Sequence, residues 1–163
     1  MKQYGPIDGE TLLSTPLPPV RWLIPNLLPA GMSLLAGASK AGKSWLCLWM
    51  CLQLAKGGEI WNRTVPPQTV LYLCLEDTFA HIQARLFRLT EDAVPERLYF
   101  QTGSETIGNG LEVQIEKFLA AHQETALVAG NCGYAGPRGY GISGAHLLPP
   151  AVRLQSAGRP SAE

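Results

Sequence analysis

The segment GASKAGKS, residues 37–44, constrains what this chain can fold into more than any other feature. It fits the pattern G-x-x-x-x-G-K-[ST]. The apolar run MSLLAGA leads into it and KSWLCLWMCLQLAK leaves it, apolar almost all round and stopped by Gly57 and Gly58. A buried strand turning into a helix through such a loop calls for an α/β arrangement. Gly37 and Gly42 permit backbone turns that aim successive N–H groups inward. With Ala38, Ser39, Lys40 and Ala41 between them, they form an anion nest at the positive end of the following helix. Lys43 is placed to reach β- and γ-phosphate oxygens, Ser44 to bind Mg²⁺ bridging them, and Trp45 follows in the helix's first turn. The expected ligands are a nucleoside triphosphate and Mg²⁺. The plain alternative is a glycine-containing turn with a chance lysine. At average residue usage the fixed positions coincide in on the order of one such chain in a few hundred, before the strand and helix are required.

The remaining pattern agrees with that class. VLYLCLE, residues 70–76, is a continuous apolar strand with its first charge at the end, as in a strand buried on both faces. Thr78 is placed to cap a helix in which Phe79, Ile82, Leu86 and Leu89 form one stripe facing the sheet, with Arg85 and Arg88 off it on a solvated face. RLYFQ reads as a third strand, and Leu111, Ile115, Phe118 and Leu119 mark another amphipathic helix entered near Asn109. A strand then starts at Thr125. Strands alternating with helices predict right-handed βαβ units and a parallel sheet with helices on both faces. Residues 1–30 read as a proline-rich lead-in, packed by Trp22, Leu23, Ile24 and Leu28, residues 31–129 as the domain, and residues 130–163 as a low-pattern, poorly ordered tail.

Composition narrows the partners. The 163 residues carry 13 basic and 13 acidic side chains, so no global field announces a nucleic acid or an anionic membrane. No stretch reaches the roughly 18 apolar residues of a membrane span, and the N-terminus lacks a leader pattern, so a cytoplasmic protein without a membrane partner is expected. Cys47, Cys51, Cys74 and Cys132 show no paired C-x-x-C spacing and read as buried thiols and not as a metal or redox site. Trp22, Trp45, Trp49 and Trp61 read as core in preference to a base-stacking surface, and His81 and His122 as surface residues.

In open parallel sheets the carboxyl ends of the strands line the ligand crevice, which makes Glu76 the candidate to orient water toward a γ-phosphate. The competing role for Glu76 or Asp77 is to cap the next helix. The reading splits them, Asp77 as cap and Glu76 as catalytic base, with Lys43 as its catalytic partner.

PPVRWLIPNLLPAGMSLLAGASKAGKSWL, followed by VLYLCLEDT and a helix bearing RLFRL, resembles the RecA-like AAA family ATPases of the RepA helicase type, found with plasmid and phage replication genes. The resemblance spans roughly residues 17–128. It implies a RecA-like P-loop NTPase fold, ATP hydrolysis, DNA as partner, and a homo-hexameric ring with nucleotide bound between subunits. The glutamate of the family's L-E-D motif, its water-activating residue, matches Glu76.

The resemblance also sets an expectation that this chain does not meet. In the family the strand beginning like TALVA continues to I-D-T-L, with an aspartate that holds Mg²⁺ from beside the P-loop strand; here Gly130 and Asn131 stand there. From Gly130 onward the sequence has no lysine and no aspartate, is rich in glycine, proline and alanine, and lacks helix or strand periodicity. Two explanations stand, a divergent C-terminus or a reading frame lost near Ala129, and the abruptness of the change favours the second. The domain is therefore expected to be incomplete at its C-terminus, with impaired hydrolysis. A kinase of a small acceptor and a non-catalytic nucleotide-binding remnant are the alternatives; GASKAGKS lacks the extra glycine usual in such kinases.

Overall fold

The computed structural model describes residues 6–31, 33–38, 40–75, 77–105, 109–135 and 141–147, those from 131 onward as backbone. Asp8 opens a short exposed helix, α1 (Gly9–Ser14), by accepting a hydrogen bond from the Thr11 amide at 2.9 Å. A small antiparallel hairpin follows, β1 (Trp22–Ile24) with β2 (Leu28–Pro29). The prolines of the lead-in stop longer elements, and the hairpin still reaches the main core through Leu23, Ile24 and Leu28. Trp22 departs from the expected packing and is 41% exposed.

The strand before the glycine loop, β3 (Ser33–Leu34), is shorter than its apolar run predicts. After the loop comes α2 (Lys43–Lys56), which buries Cys47, Leu48, Cys51, Leu52, Leu54 and Ala55. Gly57 ends it with φ +72°, its N–H donating to the Gln53 carbonyl at 2.8 Å. A Cβ at Gly57 would lie 2.6 Å from the Pro67 nitrogen, so backbone freedom and space both demand glycine there. The turn-rich connection forms a second hairpin, β4 (Gly58–Glu59) with β5 (Thr64–Val65). Its turn residue Trp61 is 47% exposed although its ring packs on Trp49 at 4.9 Å.

The central strand, β6 (Thr69–Cys74), is buried at every position. Its side chains alternate: Val70, Tyr72 and Cys74 join the cluster built on α2, while Leu71 and Leu73 join a second cluster across the sheet. The helix α3 (Phe79–Leu89) adds Ile82, Leu86 and Leu89 to the first cluster, and α4 (Leu111–Ala121) adds Leu111, Ile115, Phe118 and Leu119 to the second. Helices therefore cover both faces, which explains the continuous apolar run of β6. Phe79 does not join the stripe, being the first residue of α3 and 59% exposed. His122 is not a free surface residue either; its ring lies 4.4 Å from Tyr99 and 4.5 Å from Phe118.

On one side of β6 runs β7 (Leu98–Gln101) and on the other β8 (Thr125–Ala135), both parallel to it. These three strands form the parallel core of a mixed α/β sheet. The strand expected to lose its pattern at Gly130 continues as backbone to Ala135 and pairs antiparallel with β9 (Gly141–Leu147). The sheet order is β3-β9-β8-β6-β7. This corrects the expectation that β8 lies beside the P-loop strand, because β9 stands between them. Glycine, alanine and serine alternate too weakly in residues 130–147 to announce such a strand from sequence.

Candidate functional site

The direction of the strands places the glycine loop. Strand β9 is antiparallel to both β3 and β8, and β8 is parallel to β6, so β3 and β6 point the same way. The loop after β3 and the chain after Cys74 therefore leave the sheet at one edge, its carboxyl edge. Tertiary contact ties these two segments: the Arg85 guanidinium of α3 lies 5.7 Å from the ring centroid of Trp45, in the first turn of α2.

Within the loop, Gly42 is the N-cap of α2 at φ +85° and brings no side-chain cap to the first-turn N–H groups. Lys40 takes the other left-handed position, φ +61°, and the Ala41 N–H closes a turn on the Ala38 carbonyl at 3.3 Å. Gly37 differs from expectation: its φ is not left-handed, and a methyl there would touch Lys43 Cδ at an ordinary 3.6 Å. Among the described residues of the loop, the left-handed positions are Lys40 and Gly42. Lys43 Nζ folds over the loop and donates to the carbonyls of Gly37 at 2.8 Å and Ala38 at 2.7 Å. An ammonium, an uncapped helix start and an exposed loop converge, and this combination fits a polyphosphate. Ser44 and Trp45 are half-buried in the first turn of α2. Ser39 and Glu76 lie outside the described residues.

Across the site, Thr78 is the N-cap of α3, its hydroxyl accepting from the His81 amide at 3.3 Å. Asp77 is consequently not the cap. Its carboxylate, 8% exposed, accepts from the Arg85 guanidinium, with His81 Nδ1 at 3.9 Å on the outside. Arg85, expected on a solvated face, instead has a side chain only 25% exposed. Sequence reasoning missed it because neither Asp77 nor Trp45 sits at helical spacing from it; the buried carboxylate that demands a cation is visible only once the elements are packed.

Behind the loop lie three free, buried thiols, Cys47, Cys51 and Cys74. The hydrogen bond with Cys47, and then burial, push the Cys51 thiol well up, and burial followed by the Asp77 carboxylate pushes Cys74 up to about 12. Tyr72 beside them is also raised, chiefly by burial, and its hydroxyl is enclosed without a hydrogen-bond partner among the described residues. Cys51, Cys74 and Tyr72 therefore stay protonated, and the side chains act as packing. Cys132 lies outside the residues whose side chains are described. Among the described residues no group of three or more His, Cys, Asp or Glu is placed to hold a metal ion, and no helix is long and apolar enough to cross a membrane.

At the far side, Gly130 pairs with Leu73 and Asn131 with Cys74. Strand β8 thus passes the carboxyl end of β6 without a carboxylate at that level. A sequence model of the family described as AAA domain matches residues 7–126 of this chain, a span that includes β3, the glycine loop, β6 and α3. No solved structure gives a significant match.

Proposed function

Because the chain belongs to the AAA domain family of P-loop NTPases, we propose that it is an ATP-binding domain of the RecA-like, RepA-type replicative helicase group, with impaired hydrolysis. The observation that carries the reading is the convergence of the Lys43 ammonium with the uncapped start of α2 at the carboxyl edge of the sheet. In this reading residues 37–44 cradle the phosphates, Lys43 meets the β- and γ-phosphate oxygens, and the Trp45 N–H follows in the first turn. Ser44 holds Mg²⁺, which when bound neutralises charge on the phosphate oxygens. Glu76, between Leu75 and Asp77, orients the attacking water.

DNA is the partner this reading implies for the full-length family member, and the homo-hexameric ring belongs to the family and is not extended to this chain. It divides the chain into lead-in 1–30, domain 31–129 and tail 130–163, with the family pattern lost from Gly130 onward by a shifted frame. Impaired hydrolysis follows from the level of Cys74 in the sheet, where the family places an acid and this chain has Gly130 and Asn131. Asparagine brings no charge to offset that of a metal ion.

A steady-state ATPase assay on purified, monodisperse protein, with and without single-stranded DNA, tests the impaired hydrolysis. Turnover is expected below about 0.1 s⁻¹, roughly a hundredth of an ordinary enzyme's, with no rise on adding DNA. DNA-stimulated turnover near 10 s⁻¹ would overturn the assignment of impaired hydrolysis and make residues 130–163 a working C-terminus.

A further inference from the structure

We propose that Arg85 is a positioning residue that couples the start of α2 to the Asp77 segment, so that filling the P-loop and setting the chain beside Glu76 become one event. The proposal rests on the reading of the P-loop as a nucleotide site. Three observations carry it. The Asp77 carboxylate is 8% exposed, and the Arg85 guanidinium is its close cationic partner, with His81, 71% exposed, standing outside at 3.9 Å. The same guanidinium lies over the ring of Trp45, the residue that follows Ser44 in the phosphate-facing turn. Asp77 is itself the direct chain neighbour of Glu76.

The physics makes this contact more than a filler. A carboxylate that far from water must keep its cation, because removing one partner leaves a buried uncompensated charge. The cation is in turn held by the face of an aromatic ring, an attraction that strengthens when water is excluded. Any rearrangement of the first turn of α2 that moves Trp45 therefore moves the seat of Arg85 and, through it, Asp77. Because α3 is anchored in the core by Ile82, Leu86 and Leu89, a shift of the guanidinium is passed to its carboxylate partner, Asp77.

Amide hydrogen exchange on the full chain, with and without a magnesium complex of a non-hydrolysable ATP analogue, reads this coupling directly. In the wild type the analogue is expected to slow exchange by about 10-fold both at Ser44 and Trp45 and at Asp77 and Thr78. In Arg85→Ala the slowing at Ser44 and Trp45 persists, while that at Asp77 and Thr78 falls below about 2-fold. Arg85→Lys, which keeps a cation able to pair and to approach the ring but lacks the planar guanidinium, restores part of it, to above about 2-fold. If Arg85→Ala fails to fold, Asp77→Asn gives the same contrast, because the neutral amide no longer requires the cation. Equal protection of Asp77 and Thr78 in the wild type and the alanine variant, or wild-type protection confined to the P-loop, overturns the proposal. Absence of protection at both places overturns the nucleotide-site reading itself, and a Lys43→Ala control defines that baseline.

Discussion

Replacing Lys43 by alanine is expected to abolish ATP binding, with an affinity loss of about 100-fold or more. The ammonium sits inside the loop, within 2.8 Å of the Gly37 carbonyl and 2.7 Å of the Ala38 carbonyl, neither of which neutralises it. A polyphosphate offers it charge-assisted bonds in place of those neutral ones, each worth about 1.5–3 kcal/mol, and two such bonds lost amount to about 100-fold or beyond. The substitution costs the free protein little, because both bonds lie in an exposed loop and none of the core clusters contains Lys43. Binding of a fluorescent ATP analogue to the wild type and the variant, with circular dichroism confirming equal folding, decides the matter. Equal affinity would remove residues 37–44 from the phosphate site.

Glu76→Gln is expected to leave ATP affinity unchanged while lowering turnover by about 10² or more, once residues after Ala129 are replaced by a family continuation carrying the missing acid. The asymmetry follows from when the carboxylate acts. In the proposed role the carboxylate of Glu76, the chain neighbour of Asp77, takes a proton from water in the transition state and makes no ground-state contact that the amide cannot replace. Asp77 is not its substitute, because its carboxylate is already held by Arg85. Quench-flow measurement of phosphate release checks the prediction. A turnover equal to that of the parent would leave Glu76 without a chemical role.

The parts of this architecture that were legible in the sequence are those whose cause is local. The unbroken run from Val70 to Cys74 could only be a strand covered twice, and its alternate residues do divide between two clusters. Gly57 announced the end of α2 because its left-handed φ and the close approach of Pro67 leave no room for a side chain, and Gly58 follows it at φ +104°. Gly42 was likewise legible, whereas Gly37 was assigned a backbone role that Lys40 fills. What escaped was non-local. Strand β9 has no apolar alternation to mark it, and its place between β3 and β8 is a fact of pairing over long sequence distances. Phe79 fitted the helical stripe of α3, yet the stripe's first turn carries it away from the core clusters. The contact of Arg85 with Asp77 and Trp45 joins three segments whose spacing obeys no single period, so only packing reveals it.

The most direct test of the central claim, that this loop and helix start recognise a triphosphate, is an equilibrium titration of the unmodified chain with ATP and with AMP in the presence of Mg²⁺. The account predicts saturable binding of one ATP per chain, with AMP weaker by about 10-fold or more because it lacks the β- and γ-phosphates that Lys43 is placed to meet. Absence of saturable ATP binding, or AMP binding as tightly as ATP, would contradict it.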